Sequence, residues 1–255
     1  MDYRTQNQCY WENRAEGYSL VNQTELHTAQ HERWQTHLDA QILAQFPGKS
    51  REEIRVLEVG CGPGFFAIIL SELGYPVTAV DYTAHMLEQA RENAKEYGQI
   101  PCFLEMDASE LTFADTSFDV VVSRNLTWNL PEPKKAYGEW LRVLASGGAL
   151  LVYDANWYGY LYDESKRDAY EKDRMHTAEL GVKDEYEGTD IDAMEAIARK
   201  APLSGLVRPE WDVRILAELG AKEVFIDEKV WEKVWSKEEQ INFSATPMFE
   251  IIARK

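Results

Sequence analysis

The stretch Val56-Leu-Glu-Val-Gly-Cys-Gly-Pro-Gly64 constrains the fold of this chain more than any other. An apolar run ends in three glycines spaced two apart, and an apolar helical pattern, Phe65 to Leu73, comes directly after and closes at Gly74. Glycine lets the backbone turn through left-handed angles and approach a ligand without a Cβ in the way. The helix behind it offers unpaired amides at its first turn. A buried strand, a glycine turn and a helix in this order form half of a βαβ unit, so a parallel sheet covered on both faces is expected.

The rest of the chain continues the alternation. Ile54 to Val59, Pro76 to Val80, Cys102 to Glu105, Phe118 to Ser123 and Gly148 to Tyr153 read as strands. Thr83 is placed to cap a helix whose stripe Met86, Ala90, Ala94, Tyr97 ends at Gly98, and Pro133 starts another carrying Ala136, Trp140 and Leu144. A helix over Glu210 to Leu219 precedes strands expected at Lys222 to Ile226 and Phe249 to Arg254. Too few residues for a crossover helix separate these two, which predicts an antiparallel pair at the sheet's edge. The fold class is therefore α/β, a Rossmann-like, doubly wound, mostly parallel sheet.

Two segments interrupt the pattern. Thr24 to Phe46 is expected as one long helix with His27, His31, Trp34, Leu38 and Ile42 on one face, stopped by Pro47-Gly48. The two histidines stand four apart, but they continue the apolar stripe, so packing and not metal binding is expected. Asn156 to Arg208 reads as an inserted helical lid. It carries Glu179, Asp184, Glu185, Glu187, Asp190, Asp192 and Glu195 against Lys183 alone, which we read as a solvated helix face. The domain plan is thus an N-terminal helical cap (1–48), a sheet domain (49–155 and 209–255) and a lid (156–208).

Charge narrows the partners. Asp and Glu total 44 against 27 Lys and Arg, a formal net charge of −17. Such a surface repels phosphate backbones and anionic lipid, so neither nucleic acid nor membrane is expected as a partner. Three cysteines, Cys9, Cys61 and Cys102, are too scattered for a disulfide framework or a zinc site. The longest apolar run, Phe65 to Leu70, is far too short to span a bilayer, and Met1 to Tyr10 lacks a leader's apolar core. A cytoplasmic protein, monomer or homodimer, is expected.

The glycine turn also selects its ligand. Asp81 stands 21 residues after Gly60 at the end of the next strand, where such sheets hold the acid that grips ribose hydroxyls. The spacing is Gly-x-Gly-x-Gly, not the Gly-x-Gly-x-x-Gly that seats a pyrophosphate, and Glu58 lies two residues before the first glycine. An anion beside Glu58 would be repelled, whereas an ammonium would be attracted. S-adenosylmethionine carries an ammonium, a sulfonium and a ribose but no phosphate, so the charge pattern favours it over NAD.

With these residues in hand, the sequence resembles the class I S-adenosylmethionine-dependent methyltransferases. The resemblance rests on Val56 to Gly64, Val77-Thr-Ala-Val-Asp81, Glu105-Met-Asp107-Ala108, Phe118-Asp-Val-Val-Val-Ser123 and Leu141-Arg-Val-Leu-Ala-Ser-Gly-Gly148. It implies a seven-stranded sheet with an antiparallel last strand. It implies that Glu58, Gly60, Cys61, Gly62 and Gly64 hold the methionine end. Asp81 would then hold the ribose beside Tyr82 and Met86, Asp107 and Ala108 would meet the adenine, and Ser123 would line the pocket. Tyr18 resembles an N-terminal tyrosine that closes over the cofactor. Ala145-Ser146 stands where the family usually has a Lys-Pro or Arg-Pro turn.

The resemblance also implies that the acceptor faces the ends of the fourth and fifth strands. Arg124 and Asn125 are then candidates for catalysis, with Asp154 as a base, and Trp128, Asn156, Trp157 and Tyr158 for acceptor binding. Methyl transfer from a sulfonium is an in-line displacement, so alignment matters most and a base only where the acceptor must lose a proton. The segment Ser123-Arg-Asn-Leu-Thr-Trp-Asn-Leu130 lacks the Asn/Asp-Pro-Pro-Tyr signature of nucleobase and glutamine methylation. A small-molecule acceptor is therefore expected. A non-catalytic S-adenosylmethionine-binding regulator and a nicotinamide-dependent oxidoreductase are the alternatives.

Overall fold

The computed structural model describes residues 2–186 and 189–255. Two helices lead, α1 (Tyr3–Leu26) and α2 (Ala29–Gln45). The alternation comes next: β1 (Val56–Val59), α3 (Phe65–Glu72), β2 (Val77–Asp81), α4 (Ala84–Glu96), β3 (Cys102–Glu105), β4 (Phe118–Arg124), α5 (Pro133–Val143) and β5 (Leu144–Asp154). The inserted segment holds α6 (Glu164–Glu179) and α7 (Ile191–Ala198). The chain then returns through α8 (Glu210–Glu218), β6 (Glu223–Asp227), α9 (Trp231–Val234), α10 (Lys237–Asn242) and β7 (Phe249–Arg254).

The seven strands lie in the order β3-β2-β1-β4-β5-β7-β6. All neighbours from β3 to β5 are parallel, while β7 runs antiparallel to both β5 and β6. The expected antiparallel pair is present, but β7 is interior to it and only β6 is an edge. Two short helices, α9 and α10, fill the connection that the sequence leaves without a crossover helix.

Side-chain alternation divides the core into two layers. Val56, Val120, Val122, Leu151 and Tyr153 point into one, against Trp34, Ile42, Phe66 and Ile69 of α2 and α3. Leu57, Val59, Val121, Leu150 and Val152 point into the other, against Tyr137, Trp140 and Leu216 of α5 and α8. Glu58 therefore emerges on the α2 and α3 side of a central strand. Its pairing partners are Ala79 of β2 and Val122 of β4. The strand order reverses here, β2 and β3 lying on one side of β1 and β4 on the other, which is where open α/β sheets hold ligands.

The expected Thr24 to Phe46 helix is instead two. The break lies at His27-Thr28, where Thr28 takes an extended conformation and its side chain accepts the Gln30 N–H as the cap of α2. A hydroxyl four residues after Thr24 therefore outweighed the helical periodicity. The acidic stretch is not one helix face either. Asp190 caps α7, Asp184 pairs with Arg174, Glu195 pairs with Arg199, and Glu185 is half-buried. Glu187 lies outside the described residues.

Candidate functional site

The first glycine turn sets the geometry. Gly60, Gly62 and Gly64 all have positive φ, +70°, +49° and +90°. Gly60 and Cys61 donate their N–H groups to Val80 O, which pins the turn to β2. A Cβ on Gly60 would sit 2.5 Å from Leu126 Cδ2. Gly60→Ala is thus expected to destabilise the protein by about 1–3 kcal/mol and to push Leu126 into the cleft. Gly48→Ala (φ +90°, nothing within 4 Å) carries the backbone strain alone. A melting temperature for Gly60→Ala no lower than for Gly48→Ala would refute the steric part.

Around this turn a cleft is lined by Glu58, Gly60, Cys61, Gly62, Asp81, Tyr82, Met86, Arg124 and Asn125, and Tyr18 covers it from α1. Tyr18 lies close over Gly62, 3.6 Å from where a Cβ there would stand. Asp81 is buried, and each of its oxygens accepts one backbone N–H while the residue still lines the cleft. Its Oδ2 accepts the Gly62 N–H and its Oδ1 the Thr83 N–H, each at 2.9 Å. Burial raises its pKa, against the pull of those two bonds.

Glu58 is the unusual group. It is 4% exposed, and its Oε2 has no hydrogen-bond partner among the described residues. Burial pushes its carboxyl up to about 8. The folded protein then holds a proton that the unfolded chain loses near its ordinary value of 4.5. Stability of the ligand-free protein should therefore fall as pH rises between about 4.5 and 8. Glu58→Gln should flatten that slope in urea titrations at several pH values; an unchanged slope would contradict the assignment.

Not every expected residue reaches this cleft. Gly64 packs against Ala90 and Phe103, and Ser123 Oγ donates to Val59 O inside the sheet. Asp107 and Ala108 line a neighbouring cleft that shares Gly60, Asp81 and Tyr82 with the first. There Asp107 pairs with Arg4 of α1 and accepts the Ser109 N–H.

The acceptor candidates separate more sharply. Arg124, Asn125, Trp128, Trp157 and Tyr158 share a second cavity with Tyr18, next to the first. Asn156 does not; it lies elsewhere, beside Arg208, and donates to Arg208 O. Asp154 lines neither cavity at the glycine turn. It is fully buried, its Oδ2 accepting from Trp128 N–H and Arg208 Nη1 at 2.9 and 2.8 Å and its Oδ1 from Ala155 N–H. With three donors on it and no exposed surface, this carboxylate is closed off from both cavities, which speaks against the expected role as base, and its bond to the Trp128 N–H ties down the loop after β4. Arg124 is likewise a fixed cation. It pairs with Glu25 and lies 5.0 Å above both the Trp34 and Phe65 rings.

Trp11, Asn22, Glu25, Glu239, Trp235 and Phe243 line these cavities without any signal in the sequence. They come from α1 and from α9–α10, far from the glycine turn along the chain. The two histidines turn to separate partners, His27 to Gln23 O and His31 to Glu72. Among the described residues no group of three metal-ligating side chains assembles anywhere.

Residues 57–152 match the model of the methyltransferase domain family. Phosphatidylethanolamine N-methyltransferase of Cereibacter sphaeroides is 40% identical over 100 residues, 38% of this chain and 49% of that protein. Demethylmenaquinone methyltransferase of Renibacterium salmoninarum is 34% identical over 135 residues, 53% of this chain and 52% of that one. The chain spans about half the length of these curated relatives. In fold it is similar to a Methanococcus maripaludis protein assigned to the S-adenosyl-L-methionine-dependent methyltransferases. The TM-score is 0.60 at 18% identity, with 96% and 93% of the two chains covered. It is also similar to Haemonchus contortus phosphoethanolamine N-methyltransferase 2, solved with phosphomonomethylethanolamine and S-adenosylhomocysteine. There the TM-score is 0.54 at 18% identity, with 86% and 52% covered. The strand order, the glycine turn at the switch between β1 and β4, and the match over 57–152 agree, and the sheet domain is a Rossmann-like fold carrying, over residues 57–152, a match to the methyltransferase domain family.

Proposed function

We propose that this protein transfers a methyl group from S-adenosylmethionine to a small-molecule acceptor. The observation that carries the reading is the buried Glu58 carboxyl, with its unpartnered oxygen, beside a glycine turn that leaves no room for a Cβ at Gly60. A buried acid oxygen without a donor suits a cationic head group, and Asp81 at the end of β2 suits a pair of hydroxyls. The residues thus fit the cofactor. Glu58, Gly60, Cys61 and Gly62 would hold its amino-acid end, and Asp81, Tyr82 and Met86 its ribose side. Asp107 and Ala108 in the adjoining cleft would meet its base. When bound, S-adenosylmethionine supplies an electrophilic methyl carbon.

The chain's own residues then do three things. The Gly60–Gly64 turn, tied to β2 by Asp81, keeps the binding groups in place before the ligand arrives. Tyr18 and Trp11 cover the cleft and exclude water. Trp128, held at its N–H by Asp154, and the Trp157-Tyr158 segment form the wall opposite, where an acceptor would align with the methyl group. The domain plan of cap, sheet domain and lid belongs to this reading. So do a cytoplasmic setting, a monomer or homodimer, and the absence of nucleic-acid and membrane partners expected from the charge. No described helix is long and apolar enough to cross a membrane. Calorimetric binding of S-adenosylmethionine is expected, followed by incorporation of its labelled methyl group into a small-molecule cell extract. No binding heat would overturn the reading. Binding without transfer to any extract would favour a regulator.

A further inference from the structure

A second cavity beside the cofactor cleft has walls that select a particular acceptor, and we propose that it binds a cationic amine carrying an apolar arm. The inference rests on the methyltransferase reading and sharpens it. The cavity, of about 190 Å³, shares Trp11, Tyr18, Arg124 and Asn125 with the glycine-turn cleft, so whatever fills it lies next to the cofactor's place.

Much of its remaining wall is aromatic. Trp128 and Tyr158 lie with ring centroids 5.1 Å apart; Phe243 lies 5.5 Å from Trp157, 5.7 Å from Tyr186 and 5.8 Å from Trp235. These rings come from four separate parts of the chain: the loop after β4, the loop after β5, the inserted segment and α9–α10. A cavity assembled from so many π faces favours a weakly hydrated cation, which gains from each ring it faces.

The charges around it point the same way. Glu25, Glu185 and Glu239 line the cavity, with Arg14 and Arg124. Arg124 is neutralised by Glu25, and Arg14 donates to Thr189 Oγ1. Among the described residues, Glu185 and Glu239 therefore have no cation at salt-bridge distance. The bonds that Glu239 accepts, from Ser236 N–H and the Gln30 side chain, both fall on Oε2, so among the described residues Oε1 has no donor. Burial and the neighbouring Glu25 keep Glu239 protonated up to about pH 8, a penalty that an entering cation relieves. An anionic acceptor would add to the repulsion, and a neutral one would leave it unrelieved.

The entering ammonium ionises Glu239, whose own proton leaves to solvent, and in the transfer itself the ammonium proton passes to the carboxylate so formed. The freed nitrogen lone pair forms a bond to the methyl carbon as that carbon's bond to sulfur breaks. The positive charge lost at sulfur reappears on nitrogen.

The test uses the full chain at pH 8 and calorimetry with S-adenosylhomocysteine first. Absence of that heat would count against the methyltransferase reading, independently of any acceptor measurement. Choline is then compared with its uncharged isostere 3,3-dimethylbutan-1-ol on the complex. Choline is expected to bind at least about tenfold more tightly. Glu239→Gln, which keeps an acceptor for the Ser236 N–H, and Trp157→Leu should each reduce that preference below about threefold, with S-adenosylhomocysteine affinity unchanged. Equal affinities in the unaltered protein, or a preference that survives in both variants, would overturn the proposal.

Discussion

Replacing Arg208 with methionine should destabilise the protein by about 3–5 kcal/mol, the cost of stranding a buried charge. The guanidinium is 1% exposed and joins two carboxylates that are 0% exposed. Nη1 donates to Asp154 Oδ2, while Nε and Nη2 grip Asp212, whose Oδ1 also accepts the Tyr137 hydroxyl at 2.6 Å. Methionine would fill much of the volume but leave both acids without a counter-charge, and Phe249, 5.1 Å from the guanidinium, would lose its cation. Burial already raises the pKa of Asp154, and without the guanidinium that opposes the rise it would hold its proton to a still higher pH in the folded state. The variant's deficit should therefore be smaller at pH 5 than at pH 8. Urea unfolding at both pH values is the measurement; a deficit below about 1 kcal/mol at pH 8 would mean that the network is not closed in solution. The effect should reach the second cavity as well, because Asp154 also holds the N–H of Trp128, which lines it.

The second large effect is at Asp81. Asp81→Asn is expected to weaken S-adenosylmethionine binding by about 30- to 100-fold, the loss of a charge-assisted bond worth about 2–3 kcal/mol. It should also lower stability by about 1–3 kcal/mol, because both carboxylate oxygens accept backbone N–H groups, from Gly62 and Thr83. An amide has one acceptor oxygen, so its NH2 would face one of those donors and leave it unpaired. Calorimetry for affinity and thermal melting for stability read the two consequences separately. An affinity within threefold of the unaltered protein would take Asp81 out of the ligand's reach.

Much of the fold is legible in the sequence because its signals are local. β3 and β7 match their expected bounds residue for residue, and Gly74, Gly98 and Gly220 end the helices α3, α4 and α8 with positive φ, as their positions suggest. The glycine turn is legible for the same reason: strand, glycines and helix are contiguous. The misreadings share a cause. Periodicity continued through His27-Thr28, but a side-chain cap too short-ranged to disturb the pattern broke the helix. The acidic stretch looked like one solvated face, yet its members go to caps, ion pairs and the wall of a cavity.

Asp154 is the clearest case of what composition and order cannot convey. At the end of β5 it occupies a position where acids meet substrates, and nothing in its neighbourhood along the chain says otherwise. Its partner Arg208 is 54 residues away, and the pairing exists only because the inserted segment returns over the sheet. Arg124 and Glu25 are 99 residues apart and neutralise one another in the same way.

What the sequence determined by itself was therefore the doubly wound sheet, the glycine turn at its switch point and the acid, Glu58, that stands beside that turn. Each depends on contacts within about one βαβ unit, where side-chain period, glycine and capping act over a few residues. Only the tertiary structure decided which acids are free. A carboxylate's availability depends on whether a cation from elsewhere in the chain has already closed on it, and that is settled by packing between distant segments. Arg208 closed on Asp154 and Arg124 on Glu25, while among the described residues no cation closed on Glu58 or Glu239 beside the two cavities.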